Sequence, residues 1–262
     1  MTRTADALVL CGLLVPAAQA VELKPETVQA FERYIRETEA RIEPRLRSAD
    51  KFLWADEDPR RIAEVRAGQI AIENRRAGDT IPVPGGLIHD WIGVVFIRGV
   101  TLAQTLALVQ DYDHNQDHYK PEVLASRLVS RHGNDFVVHL RLMKKKVITV
   151  ILDTDYDVRY SPVDATRCHS RAYSRRIAEV EHPGEPDEHM LPPGKDHGFL
   201  WRLNSYWRFQ ERDGGVYVEC EAISLTRTIP AGLGWLIEPI VKSLPRESLA
   251  NTLRETRAAL TS

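Results

Sequence analysis

Cysteine is scarce in this chain. Cys11, Cys168 and Cys220 are the only three in 262 residues, too few for a disulfide framework and in no spacing that holds zinc. A charge excess of one sign is lacking too. Lys and Arg number 35 against 37 Asp and Glu, a formal −2, so nucleic acid and an anionic membrane surface are not expected partners on electrostatic grounds. No phosphate-cradling glycine loop or nucleophile elbow is found. Past the first twenty residues, no apolar run approaches the ~20 residues that span a bilayer. What remains, 43% hydrophobic and 27% charged, is the balance of a folded globular protein.

The N-terminus reads as a targeting segment. Arg3 gives a basic start, Ala7 to Ala18 is almost wholly apolar, and Ala18-Gln19-Ala20 is a small-x-small cleavage pattern. Residues 1–20 are expected to be a signal peptide, with a mature, exported chain beginning at Val21, periplasmic or secreted. Cys11 has no lipoprotein box around it, so Cys168 and Cys220 are the cysteines left to the folded protein.

Trp201 to Thr226 is the most informative stretch. Asp213-Gly214 suits a two-residue type I′ turn, whose central positions both need positive φ. That turn pairs Arg212 with Gly215, and the register follows: Phe209 faces Val218, Trp207 faces Cys220, Ser205 faces Ala222 and Leu203 faces Ser224. On the other face Arg208 meets Glu219 and Tyr206 meets Glu221. One face is aromatic plus small, the other charged. If strand 166–180 pairs antiparallel with strand 199–211, Cys168 lies near Glu211, a strand away from Cys220's partner. A disulfide needs Cα atoms within roughly 7 Å, so two unpaired buried thiols are expected.

Elsewhere, residues 25–47 have helical spacing at Val28, Phe31, Ile35 and Ile42, with Pro25 in the first turn. Residues 48–58 form a loop anchored by Phe52, Leu53 and Trp54, and Pro59 opens a helix to about Arg66. This front portion, residues 21–67, reads as a helical extension; residues 68–262 read as the main domain. Strands follow at 69–74 and 87–97, then a helix from Thr101 to Asp111. A meander of strands covers 122–131, 134–143, 147–158, 166–180, 199–211 and 215–227. The Pro/Gly-rich stretch 182–198 interrupts it and is a candidate gate. The end is helical, with Pro239 expected to kink or break it and Pro245 to restart it. The fold class is therefore α+β: a curved antiparallel sheet gripping a long C-terminal helix, with the N-terminal helical extension.

That order resembles the START-like superfamily, the helix-grip proteins that include polyketide cyclases and lipid-transfer domains, and more narrowly its secreted bacterial members. The stretches that carry it are GGLIHDWIGVVFI at 85–97, DYDHNQDHYKPEV at 111–123, HGFLWRLNSYWRF at 197–209 and VYVECEAISLTRTIPAGLGWLIEPIV at 216–241. The resemblance implies a cavity between sheet and helix for a hydrophobic or amphipathic small molecule. The superfamily shares no catalytic motif, so no catalytic residue is carried over.

The inward positions fit such a cavity. Small residues facing a helix either let it come close or leave a void, and we read them as a void. Ser170, Ala172, Ser174, Ser205, Trp207, Cys220, Ala222 and Trp235 are the candidate lining. His89, Asp90 and Tyr206 are the possible polar groups of the pocket. The row Arg167, His169, Arg171, Tyr173 and Arg175 is expected to be a solvated or ion-paired sheet face. Asp111, Asp113, Asn115, Asp117 and Glu122 mimic calcium-loop spacing, but Gln116 stands where glycine is needed. No metal and no cofactor is expected. The reading is a binding protein with a hydrophobic small molecule as partner and transient membrane or envelope-protein contact. The alternatives are a cyclase- or aromatase-type enzyme, and an envelope interaction protein with a filled core.

Overall fold

The computed structural model describes residues 22–76, 78, 80–145, 148–228 and 234–261. The segment read as a signal peptide lies outside them. Helix α1 (Pro25–Leu46) is followed by a 3₁₀ turn (Trp54–Glu57) and α2 (Pro59–Arg66). Strands β1 (Ala71–Asn74), β2 (Ile81–Val83) and β3 (Gly86–Arg98) come next, then α3 (Leu102–Val109) and α4 (Asn115–His118). The meander is β4 (Val123–His132), β5 (Asp135–Lys145), β6 (Thr149–Pro162), β7 (Arg167–Glu181), β8 (His189–Met190), β9 (Arg202–Arg212) and β10 (Gly215–Arg227). Helix α5 (Gly234–Thr261) closes the described chain.

The strands form one antiparallel sheet in the order β1-β3-β10-β9-β7-β6-β5-β4, with β2 on β3 and β8 on β7. The fold is a large curved antiparallel sheet wrapped on its C-terminal helix, with helices added at the N-terminus. The β9–β10 hairpin has the register that Asp213-Gly214 dictates, Trp207 opposite Cys220 and Arg208 opposite Glu219. Both turn residues have positive φ, 57° and 75°.

Two expectations need correcting. Cys168 lies opposite Phe209, two positions from Glu211, because the strand ends meet in register: the Glu211 amide donates to the Thr166 carbonyl at 2.8 Å and Arg167 faces Gln210. Both thiols are nonetheless buried and unpaired. The second concerns α5, which runs unbroken from Gly234 through Pro239 and Pro245. A proline removes one ladder hydrogen bond, and the helix continues across both.

The two faces of the sheet are covered by different elements. The inner face meets α5: Leu249 and Leu253 join Trp91, Val95, Val218, Cys220 and Phe209 in one core. Gly93 permits this, since a Cβ there would lie 2.7 Å from Leu253 Cδ1. The outer face meets α1 and the 3₁₀ turn, where Phe31, Ile42, Phe52, Leu53 and Trp54 join Ile92, Val94, Phe96 and Tyr217. Phe52 and Leu53 are fully buried, and the front portion supplies about half of this outer-face core.

A candidate ligand floor on the inner face

Alternation along the strands sorts the candidate residues by face. Ser170, Ala172, Ser174, Ser205, Trp207, Cys220 and Ala222 all lie on the inner face, brought together by pairing across β7, β9 and β10. Trp235 is in α5, but its side chain lies outside the described residues. Of the three polar candidates only His89 is on this face. Asp90 follows His89 directly, and Tyr206 sits between Ser205 and Trp207, so both point to the outer face.

Ladder rows crossing β3, β10, β9, β7 and β6 show how the inner face is filled. The row nearest α3 is Val95, Val218, Phe209 and Cys168, all buried. The next is Gly93, Cys220, Trp207, Ser170 and Tyr160. It is followed by Trp91, Ala222, Ser205, Ala172 and Val158. The last is His89, Ser224 and Leu203, with Ser174 opposite Tyr156; the Leu203 amide donates to Ser174 Oγ at 3.0 Å. Within these three rows the flanks are buried: Trp91, His89, Tyr160, Val158 and Tyr156. The middle is mixed: Cys220, Ser170 and Ser224 are buried, while Trp207, Ala222, Ser205, Ala172, Leu203 and Ser174 are only half-buried.

The outer face shows the opposite pattern. Arg208 is 1% exposed, and Glu219 and Glu221 are 0%. Arg208 Nε donates to Glu219 Oε1 at 2.6 Å. Arg41 of α1 donates to Glu221 at 2.5 Å, and Tyr34 Oη donates to Asp90 Oδ2 at 2.7 Å. Tyr206 Oη donates to Glu39 at 2.9 Å, and Arg171 to Glu43 at 2.9 Å. The sheet face expected to be solvated or ion-paired is ion-paired, and α1 roofs part of it with its own opposite charges.

These surroundings shift the buried groups. Burial, then the nearby Glu221, pushes the Asp90 carboxyl up to about 7. Burial also opposes ionisation of Glu221, but Arg208 and Arg41 outweigh it and hold that carboxyl below its usual range. On the inner face, burial pulls His89 down to about 4 and pushes Tyr156 up to about 12, so both are neutral near pH 7. Burial likewise raises the Cys168 thiol to about 11, which makes it a poor nucleophile.

Two further clefts lie elsewhere. One of ≈400 Å³ runs between α5 and the start of β4, lined by Glu122, Lys144, Leu244 and Ser248. The other, ≈410 Å³, is on the outer side among Glu43, Arg47, Arg159, His169 and Arg171. Salt bridges line both, Lys144 with Glu122 and Arg171 with Glu43, so neither suits an apolar guest. Glu122 is thereby committed, and Asp113 accepts from the Leu128 amide, which disperses the calcium-like spacing.

No protein-family profile matches the chain, and no curated protein is similar enough to count as a relative. Solved structures are similar. One is a STAR-related lipid transfer protein from Xanthomonas axonopodis, at 18% identity and TM-score 0.47, covering 73% of this chain and 99% of that one. Another is the Zhui aromatase/cyclase from Streptomyces sp. R1128, at 9% identity and TM-score 0.45, covering 66% of this chain and 94% of that one. A START superfamily protein from Mycobacterium smegmatis is similar at 11% identity and TM-score 0.44, over 66% and 97% of the two chains.

Proposed function

We propose that this protein is exported and holds a hydrophobic or amphipathic small molecule on the inner floor, beneath α5. The observation that carries the reading is the inverted burial. Six small or apolar residues at the centre of the sheet stay only half-buried, while Arg208, Glu219 and Glu221 on the other face of the same strands are sealed from water. A core that has closed on itself buries its apolar centre first. Here six central residues, Ala172, Ser174, Leu203, Ser205, Trp207 and Ala222, stay half-buried around buried Cys220, Ser170 and Ser224, while the flanks are closed. A guest covering them would gain roughly 25 cal/mol for each Å² of apolar surface removed from water.

Native mass spectrometry of protein purified without detergent from its own host tests this. A stoichiometric apolar adduct is expected, and Ala222→Phe, which fills the floor, should return the protein without it. If no adduct is found and no apolar probe binds, the reading fails. N-terminal sequencing of the same preparation checks export, with Val21 expected as the first residue.

A further inference from the structure

The loop that joins β7 to β8 gathers side chains that the floor does not use. Its sequence, HPGEPDEH from His182 to His189, sets metal-donor residues between two prolines and a glycine. The fold brings His182, Glu185 and Asp187 to one place. One ring nitrogen and two carboxylate oxygens, one atom from each residue, all lie within 4.8 Å of one another. Ligand atoms sharing one tetrahedral zinc ion, each at ~2.1 Å, stand about 3.4 Å apart. All three side chains are exposed, so a small rotation about their own bonds closes the difference. The backbone is already set for it. The Glu185 amide donates to the His182 carbonyl at 3.0 Å and the Glu188 amide to the Glu185 carbonyl at 3.1 Å, while Pro183 and Pro186 fix φ between the donors.

Carboxylates gather on many protein surfaces, and acid alone would mark nothing. Two features set this loop apart. The first is nitrogen. His182 belongs to the cluster, and the ring of His189 is centred 6.0 Å from its ring. His189 Nδ1 lies 3.0 Å from the Asp187 carbonyl. A carbonyl only accepts, so Nδ1 carries the proton and Nε2 of the neutral ring keeps its lone pair. An imidazole oriented in this way by a backbone carbonyl is the usual arrangement behind a metal ligand. That Nε2 faces Glu181 Oε2 at 3.5 Å, acceptor against acceptor, a contact that a cation satisfies. The second feature is the placing of positive charge. Arg141 gives both its terminal nitrogens to Glu188, each at 2.9 Å, which fastens the loop to β5. Glu181, Glu185 and Asp187 have no lysine or arginine partner among the described residues.

We infer that this loop binds a divalent transition-metal ion of the zinc type, held by His182, Glu185 and Asp187, with water completing its shell. Three protein ligands and a water are the coordination of zinc sites that keep an open position. The mixture of imidazole and carboxylate selects the class, because calcium and magnesium take oxygen ligands alone. His182 Nδ1 now lies 2.5 Å from Asp187 Oδ2 with a proton between them; the ion takes that proton's place. The site is separate from the floor and does not depend on the ligand proposed there.

Zinc chloride titrated into untagged, EDTA-stripped protein in competition with a chromogenic zinc chelator tests this. One zinc ion per chain in the micromolar range is expected. His182→Asn and Glu185→Gln should each weaken it by about tenfold or more, since even the residues behind metal ligands carry that much. Both positions are exposed, so neither change disturbs the core. His114→Asn removes an exposed imidazole that pairs with Asp111 elsewhere, and should leave zinc binding as it was. Calcium in millimolar excess should not displace the zinc. If either loop variant binds zinc as the wild type does, or if the wild type binds none in the micromolar range, the site is overturned and His182 and Asp187 are a plain ion pair. Displacement of zinc by calcium would overturn the class of metal assigned.

Discussion

Asp90 shows how far a single carboxyl's behaviour depends on which way its strand faces. On the outer face it accepts from Tyr34 at 2.7 Å and lies 3.7 Å from Arg41, yet it shares its enclosure with Glu221. Burial and that neighbour push it to about 7. In the unfolded chain it titrates near 4. Between those values the folded protein holds a proton that the unfolded chain has released. Raising the pH across that window therefore removes stability, at about 1.4 kcal/mol for each unit of separation. The loss is complete above about pH 7. Glu221, held low by Arg208 and Arg41, acts in the opposite sense at more acid pH. Asp90→Asn keeps an acceptor for Tyr34 and removes the titration. Urea unfolding from about pH 4 to 8 should show the wild type weakening relative to Asp90→Asn, with the gap levelling off above pH 7. Parallel curves would rule this out. Little of this was legible in sequence. The alternation of His89 and Asp90 was, since neighbours on a strand point to opposite faces. Which face would be covered, and by what, was not: Arg41 lies 180 positions before Glu221, and no periodicity links them.

At the scale of elements, spacing and turn chemistry foretold most of the fold. The Asp213-Gly214 turn set the register of β9 and β10 because only a few residue pairs tolerate two positive φ values. The α2 helix starts at Pro59 and ends at Arg66, where the sequence placed it. Asp58 caps it through the Arg60 amide at 2.9 Å. The role of the front portion was harder to see. Read as an extension that packs on the main domain, it covers the outer face of the sheet. The 3₁₀ turn inserts Trp54 and Ala55, with the Ala55 amide donating to buried Glu219 at 3.2 Å. Arg45 lies 3.6 Å from the same carboxylate. Remove residues 21–67 and a face carrying Glu219, Glu221, Arg208 and Asp90 beside Ile92, Val94 and Tyr217 meets water without its partners. Breaking one buried charge pair costs roughly 3–5 kcal/mol, which approaches the total stability of many domains. A chain of residues 68–262 alone should therefore fail to give the dispersed amide spectrum and cooperative unfolding of the full protein. A well-dispersed spectrum from that fragment would make the front portion an accessory after all.

Taken as a whole, the molecule divides its labour between two faces. The outer one is packed tightly, with aromatic anchors and ion pairs. The inner one packs Leu249 and Leu253 of α5 against the sheet while six central residues stay half-buried. At the end of the sheet away from α3, residues 197–199 strap two strands together. The His197 and Phe199 amides donate to Glu179 on β7, both at 2.9 Å, and Arg227 on β10 donates from its amide to the Gly198 carbonyl at 2.9 Å. Gly198 sits at φ +70°, and a Cβ there would lie 2.7 Å from Arg227 Cβ and 2.9 Å from the Trp201 ring. Gly198→Ala must then strain the backbone and push the strap off both strands. We expect a loss of about 1–3 kcal/mol in unfolding free energy. We also expect faster release of bound diphenylhexatriene in stopped-flow dilution, because the strap would spend more time detached. The second measurement discriminates. Lower stability with an unchanged release rate would mean that the strap only braces β7 against β10, and that guests leave the floor by another path.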